Sequence, residues 1–191
     1  MLLTDYPFGM LCFFTIQSNI AVLALIIYLL VTDKREISHN VLVIKLSVTV
    51  WIMLTFTVYG VLLAKYLPSG TISLPDYVGN FFVHMFTPVL MLLDFLLFDR
   101  TGKIRLRDGL WSFTLPFAYL VFVWIYSSLG GLFHYGGSTS HVPYFFMNIS
   151  GVGITAYITY IAGIFIALLT IIFGLGFLHN LLQPKKKEAL S

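Results

Sequence analysis

Residues Val152–Leu178 read VGITAYITYIAGIFIALLTIIFGLGFL, without one charged side chain. A helix needs about 20 predominantly apolar residues to cross the hydrocarbon core of a bilayer, so this run is long enough to span it. Four further apolar runs are as long as a span requires, at roughly 10–31, 41–64, 78–98 and 110–129, with Lys45 and Asp94 the charged residues inside them. Together they take up most of the 191 residues, of which 59% are hydrophobic and 10% charged. A soluble domain carries about a quarter charged residues. The runs do not alternate polar with apolar residues as the strands of a membrane β-barrel do. The chain is therefore predicted to be all-α, a polytopic transmembrane helix bundle of five spans. It forms a single domain over 1–191, with a basic cytoplasmic tail at 183–191. The first run is too long, and too polar at its start, for a cleaved signal peptide, and no small-residue cleavage site follows it. Cys12 is the single cysteine and permits no intrachain disulfide.

The charges orient these spans. Lys34 and Arg35 follow the first run; Arg100, Lys103, Arg105 and Arg107 follow the third; Lys185, Lys186 and Lys187 follow the fifth. With five spans all three groups fall on one side, and Lys45 lies near that side. Of the 11 basic residues only Lys65 falls opposite. The positive-inside rule then places the N-terminus outside and the C-terminus in the cytoplasm, a multi-pass protein of the cell membrane. Loop asymmetry accounts for the net charge of +3 without a nucleic-acid partner. The Lys185–Lys187 cluster is read as a topology signal alone, with contact to anionic lipid as the alternative. Of the two outer loops, 65–77 is short and turn-rich through Pro68, Gly70 and Pro75, while 130–151 holds His134, His141 and interface aromatics.

Polar groups at membrane depth are costly and face the bundle interior. In the first span Thr15, Ser18, Asn19 and Val22 share a face by helical spacing, with Gln17 pointing elsewhere. In the third, Asn80, His84, Thr87, Met91 and Asp94 make a second stripe. Both spans run inward. At 1.5 Å per residue Thr15 lies about 8 Å down and His84 about 9 Å down, so a hydroxyl and an imidazole share one level near the outer leaflet. Asp94 lies about 15 Å deeper than His84. Hydroxyl plus imidazole is the minimum for nucleophilic acyl transfer: the neutral imidazole takes the proton that makes the hydroxyl a nucleophile. A third group commonly orients the base. Asn80 is one turn away, and Asp76, His134, His141 and Asn148 are loop candidates. Gln17, Asn19 or backbone amides are candidates to stabilise an oxyanion.

Each has a plainer reading. Threonine in a membrane helix often bonds its own i−4 carbonyl, and Gln17 and Asn19 also suit helix–helix glue. Asp94 is expected to pair with an arginine such as Arg100, Asp99 to be a solvated end residue, and Lys45 to snorkel to the inner interface. Gly151, Thr155, Thr159, Gly163 and Ala167 form a small-residue packing stripe. His39 and His179 are expected at solvent or the interface. His134 and His141 lack a pattern such as HExxH, so no metal site is assigned, and no cofactor is implied.

The segments FFTIQSN (Phe13–Asn19), HMFTPVLMLLDFLLF (His84–Phe98) and VPYFFMNIS (Val142–Ser150) resemble the bacterial integral-membrane relatives of the androgen-induced-gene family. That family includes eukaryotic multipass threonine hydrolases that cleave fatty acid esters of hydroxy fatty acids. The resemblance implies that Thr15 is the nucleophile and His84 its partner. Family members carry six helices, with one ahead of the threonine, whereas about nine residues precede the first span here. Pro88 stands four residues after His84, where the eukaryotic spacing is one longer. The reading is an intramembrane lipid ester hydrolase, with membrane lipid as both solvent and substrate. A small-solute transporter or channel, and a noncatalytic membrane scaffold, are the alternatives. A transporter requires a polar passage reaching both faces; an esterase requires Thr15 in hydrogen-bond reach of His84, beside an apolar cavity open to lipid.

Overall fold

The computed structural model describes residues 7–32, 38–66, 73–99, 102–135 and 138–183. Five helices in it are long and apolar enough to cross a membrane: α1 Phe14–Thr32, α2 His39–Leu63, α3 Leu74–Phe98, α4 Leu106–Ser128 and α5 Ile154–Leu182. The fold is all-α, a multi-pass membrane bundle, as the five apolar runs predicted. Lipid offers backbone groups no partners, so each segment satisfies its own. Lys34, Arg35, Pro68, Gly70, Arg100 and the Lys185–Lys187 cluster lie outside the described residues, and with them the expected Asp94–Arg100 pair.

The second helix is the axis of the bundle. Over its membrane window α2 is 61% buried, against 17–22% for the other four helices. α1, α3, α5 and the first turns of α4 all pack on it. Leu42, Leu46, Val50 and Ile52 are fully enclosed, and Phe95 of α3 with Leu168, Ile172 and Leu175 of α5 close round them. Side-chain hydrogen bonds tie the neighbours to this axis. Ser18 of α1 meets Thr55 at 2.8 Å, and the Trp51 indole donates to the Ser112 carbonyl of α4 at 2.8 Å.

Several expectations are corrected here. Lys45 does not snorkel: its side chain is 5% exposed and Nζ lies 2.5 Å from Asp94 and 2.7 Å from Asp99. Asp99 is accordingly buried rather than solvated. The centrality of α2 is the reason, because it encloses a lysine that a peripheral helix would extend to water. His179 is also buried, stacked on Phe95 at 5.1 Å and in contact with Gln183 at 3.1 Å. His39 does sit near the surface, 3.4 Å from Asp108. The small-residue stripe packs against nothing at Thr155, Thr159 and Gly163, which are exposed. α5 buries the face of Leu168, Ile172, Leu175 and His179 instead. Gly153, at φ +80°, separates α5 from a short turn of helix, Ile149–Val152, so the fifth span begins at Ile154.

The segment after α4 forms a small antiparallel hairpin, β1 Phe133–Tyr135 with β2 Ser138–Ser140. Phe133 is buried, with its ring 6.0 Å from Phe13 and 5.2 Å from Tyr126. The hairpin thereby covers the end of the bundle where α1, α3 and α5 begin.

Candidate functional site

The site is built around a break in α3. Pro88 has no N–H to give to the carbonyl of His84, and its ring clashes with that carbonyl in a regular helix. The preceding turn, Phe82–Phe86, widens into a π-helical turn in which the Thr87 amide reaches back to the Phe82 carbonyl. The Val83 carbonyl thereby loses its usual i+4 donor. Asn19 of α1 replaces it: its amide nitrogen donates to Val83 at 3.1 Å and to the Thr15 carbonyl at 2.8 Å. One asparagine thus fastens the first helix to the irregular turn that carries His84. Wide turns of this kind recur at functional sites.

That fastening brings Thr15 Oγ1 to 3.2 Å from His84 Nε2. The other ring nitrogen, Nδ1, lies 3.1 Å from the Asn80 carbonyl. A carbonyl only accepts, so Nδ1 carries the hydrogen and Nε2 presents its lone pair to the threonine. Tyr59 stacks on the imidazole, with ring centres 4.1 Å apart and planes inclined by 23°. Its hydroxyl accepts from the Asn80 side chain at 2.6 Å. Tyr59 opens a second π-helical turn, Tyr59–Leu63, near the end of α2. The imidazole is thus fixed in tautomer by one neighbour and in plane by another.

The structure brings together Thr15, His84 and Asn80, and it disperses the other sequence candidates. Gln17 donates to the Leu11 carbonyl at 3.0 Å, turned away from the imidazole. Asn19 spends both amide hydrogens on carbonyls, so it acts as glue and has none left for an oxyanion. Asn148 caps the Ile149–Val152 turn, its oxygen accepting from Gly151 at 3.1 Å. His141 is exposed, with Nδ1 3.2 Å from the Gly131 carbonyl. His134 lies on β1 opposite Thr139. Asp76 caps the start of α3 with Ser73.

Three tyrosines escaped the sequence reading. Tyr59 continues the face of Ile52 and Thr55 by helical spacing, a signal that was open to reading. Tyr144 lies in VPYFFM, a loop segment, with its ring 6.1 Å from that of Phe13. Tyr119 donates to the Cys12 carbonyl at 3.2 Å. Thr15, Tyr119 and Tyr144 share the wall of a cavity of about 150 Å³ between α1, α2, α4 and α5. The rest of that wall is apolar apart from Thr55, and includes Leu54, Val58, Ile164 and Leu168. Leu120 and Phe165, also on the wall, are 43% and 51% exposed, so the cavity opens between α4 and α5 onto the lipid-facing surface. His84 is not on this wall; it approaches Thr15 from the α3 side.

Fold and site together define a multi-pass membrane protein with a threonine–histidine pair whose threonine lines an apolar cavity. No protein-family model, curated protein or solved structure matches the chain.

Proposed function

We propose that this protein is an intramembrane lipid ester hydrolase, with Thr15 as nucleophile and His84 as general base. The observation that carries the reading is the Thr15–His84 hydrogen bond at 3.2 Å, with the lone pair of Nε2 facing the hydroxyl. Thr15 Oγ1 attacks the ester carbonyl while its proton passes to Nε2. The collapsing intermediate expels an alcohol, which takes that proton. Water, activated by the same imidazole, then hydrolyses the threonyl ester. An apolar cavity beside the nucleophile, open to lipid, suits a fatty acyl chain. The motif resemblance to the androgen-induced-gene relatives adds to the reading. With N-out, C-in topology in the cell membrane, the substrate is a lipid of the outer leaflet. A continuous polar passage is not favoured, because Leu46, Val50, Ile52 and Phe95 are fully enclosed between this site and the Lys45 cluster.

The test is activity-based labelling of the purified protein with a fluorophosphonate, alongside turnover of a chromogenic long-chain fatty ester in detergent. Thr15→Ala should abolish both, and Thr15→Ser should retain more activity than Thr15→Ala. His84→Ala should lower the rate by about 10²–10⁴-fold. A folded Thr15→Ala protein that turns over the ester as fast as wild type removes Thr15 as the nucleophile.

A further inference from the structure

An acyl transfer at Thr15 puts negative charge on the carbonyl oxygen, and something must donate a hydrogen bond to it. The cavity offers four hydroxyls, those of Thr15, Thr55, Tyr119 and Tyr144. Thr15 is bonded to His84. Thr55 is held between Ser18 at 2.8 Å and the Trp51 carbonyl at 3.3 Å. Tyr119 is committed to the Cys12 carbonyl. Tyr144 remains, on the same wall as the nucleophile and with its ring against Phe13, two residues before it.

Resting on the ester-hydrolase reading, we propose that Tyr144 is a further catalytic residue, whose hydroxyl donates to the carbonyl oxygen of the bound ester. Its position is fixed from two sides. The ring stacks on Phe146 at 5.2 Å with planes 7° apart, and meets Phe13 edge-on at 6.1 Å. The Phe14 and Thr15 amides lie at the start of α1, and both residues share the cavity wall with Tyr144. These are the first two amides of α1, which no carbonyl within the helix can satisfy. The end of α1 also presents the positive pole of its dipole to the same point. Burial pushes the Tyr144 phenol up from its ordinary value, so it stays protonated at neutral pH. In the attack, the Thr15 oxygen bonds to the carbonyl carbon and its proton goes to His84 Nε2. The π pair moves onto the carbonyl oxygen facing Tyr144, which keeps its proton throughout.

The test uses the full chain in detergent micelles, with a chromogenic fatty ester and a long-chain trifluoromethyl ketone, which forms a tetrahedral oxyanion on the nucleophile. Tyr144→Phe keeps both ring contacts and removes only the donor. Its kcat should fall by about 10²-fold or more with KM nearly unchanged, and ketone inhibition should weaken in parallel. Tyr126→Phe, which removes a hydroxyl bonded to the Leu132 carbonyl outside the cavity, is the control and, with melting temperatures matched by size-exclusion, should stay close to wild type. A folded Tyr144→Phe protein with wild-type kcat overturns the assignment. So does a Tyr126→Phe loss as large as that of Tyr144→Phe, which makes the effect one of packing. If wild type shows no turnover that Thr15→Ala abolishes, the ester-hydrolase reading itself falls, and this assignment with it.

Discussion

Replacing Lys45 by methionine tests the architecture at its most charged point. The ammonium stands between two carboxylates that differ in exposure. Asp99 has a 6% exposed side chain, whereas that of Asp94 is 47% exposed. Methionine nearly matches the aliphatic stem, so the variant removes charge with little loss of packing. Asp94 can turn to solvent, and an ion pair that exposed is worth about 0–1 kcal/mol. Asp99 cannot, and an unpaired buried charge costs about 3–5 kcal/mol. Lys45→Met should therefore lower stability by about 3–5 kcal/mol, with Asp99 as the main cause. At this chain length that corresponds to a fall in melting temperature of about 6–20 °C. The double variant Lys45→Met/Asp99→Asn removes the stranded charge and should recover most of the loss, whereas Lys45→Met/Asp94→Asn should recover little. Thermal melting in detergent, read by fluorescence-detected size-exclusion, gives all four values. A Lys45→Met protein that melts with wild type refutes the buried pair. A double variant with Asp99→Asn that melts below the single one refutes the assignment of the cost to Asp99.

Three other outcomes follow from the same geometry. Burial pushes the Asp99 carboxyl up; Lys45 pulls it down, and Asp94 pushes it up again. The folded state therefore holds this proton to higher pH than the unfolded chain does, so stability from this group is full below the usual carboxylate range and declines as pH rises through the raised value. Melting temperature against pH should show that decline in wild type, and Asp99→Asn should flatten it. Asn19→Ala leaves the Val83 carbonyl without its donor, whereas the Thr15 carbonyl keeps the Ser18 hydroxyl; the change should cost about 1–3 kcal/mol in a melting assay and lower ester turnover through loss of the Thr15–His84 register. In Gly109→Ala, the new Cβ would meet Ile172 Cγ2 at 2.6 Å, where α4 crosses α5, so the melting assay should show a loss of about 1–3 kcal/mol.

How much of this was legible beforehand differs between helix positions and helix faces. The five spans were readable because lipid demands long, uncharged, internally bonded segments, and Val152–Leu178 can be little else. The shared depth of Thr15 and His84 was readable because the helical rise is constant, so counting residues from each helix end measures height. Rotation about the axis was not readable where a helix is apolar on every side. Hydropathy does not distinguish the face of α5 that holds Leu168, Ile172 and Leu175 from the small-residue stripe left exposed. Nor did it announce that α2 is the central helix, the fact that turns Lys45 and Asp99 from interfacial residues into a buried ion pair. Pro88 was visible in the sequence. Its consequence, a widened turn that frees the Val83 carbonyl for Asn19, required a neighbouring helix to supply the missing donor. Tyr59 and Tyr144 belong to the site for the same reason. The sequence by itself determined which residues lie at which height in the bilayer, since lipid and helix geometry act on each segment alone. Only the tertiary structure decided which residues face one another, because that choice is made by packing between helices and by the partners each buried polar group must find.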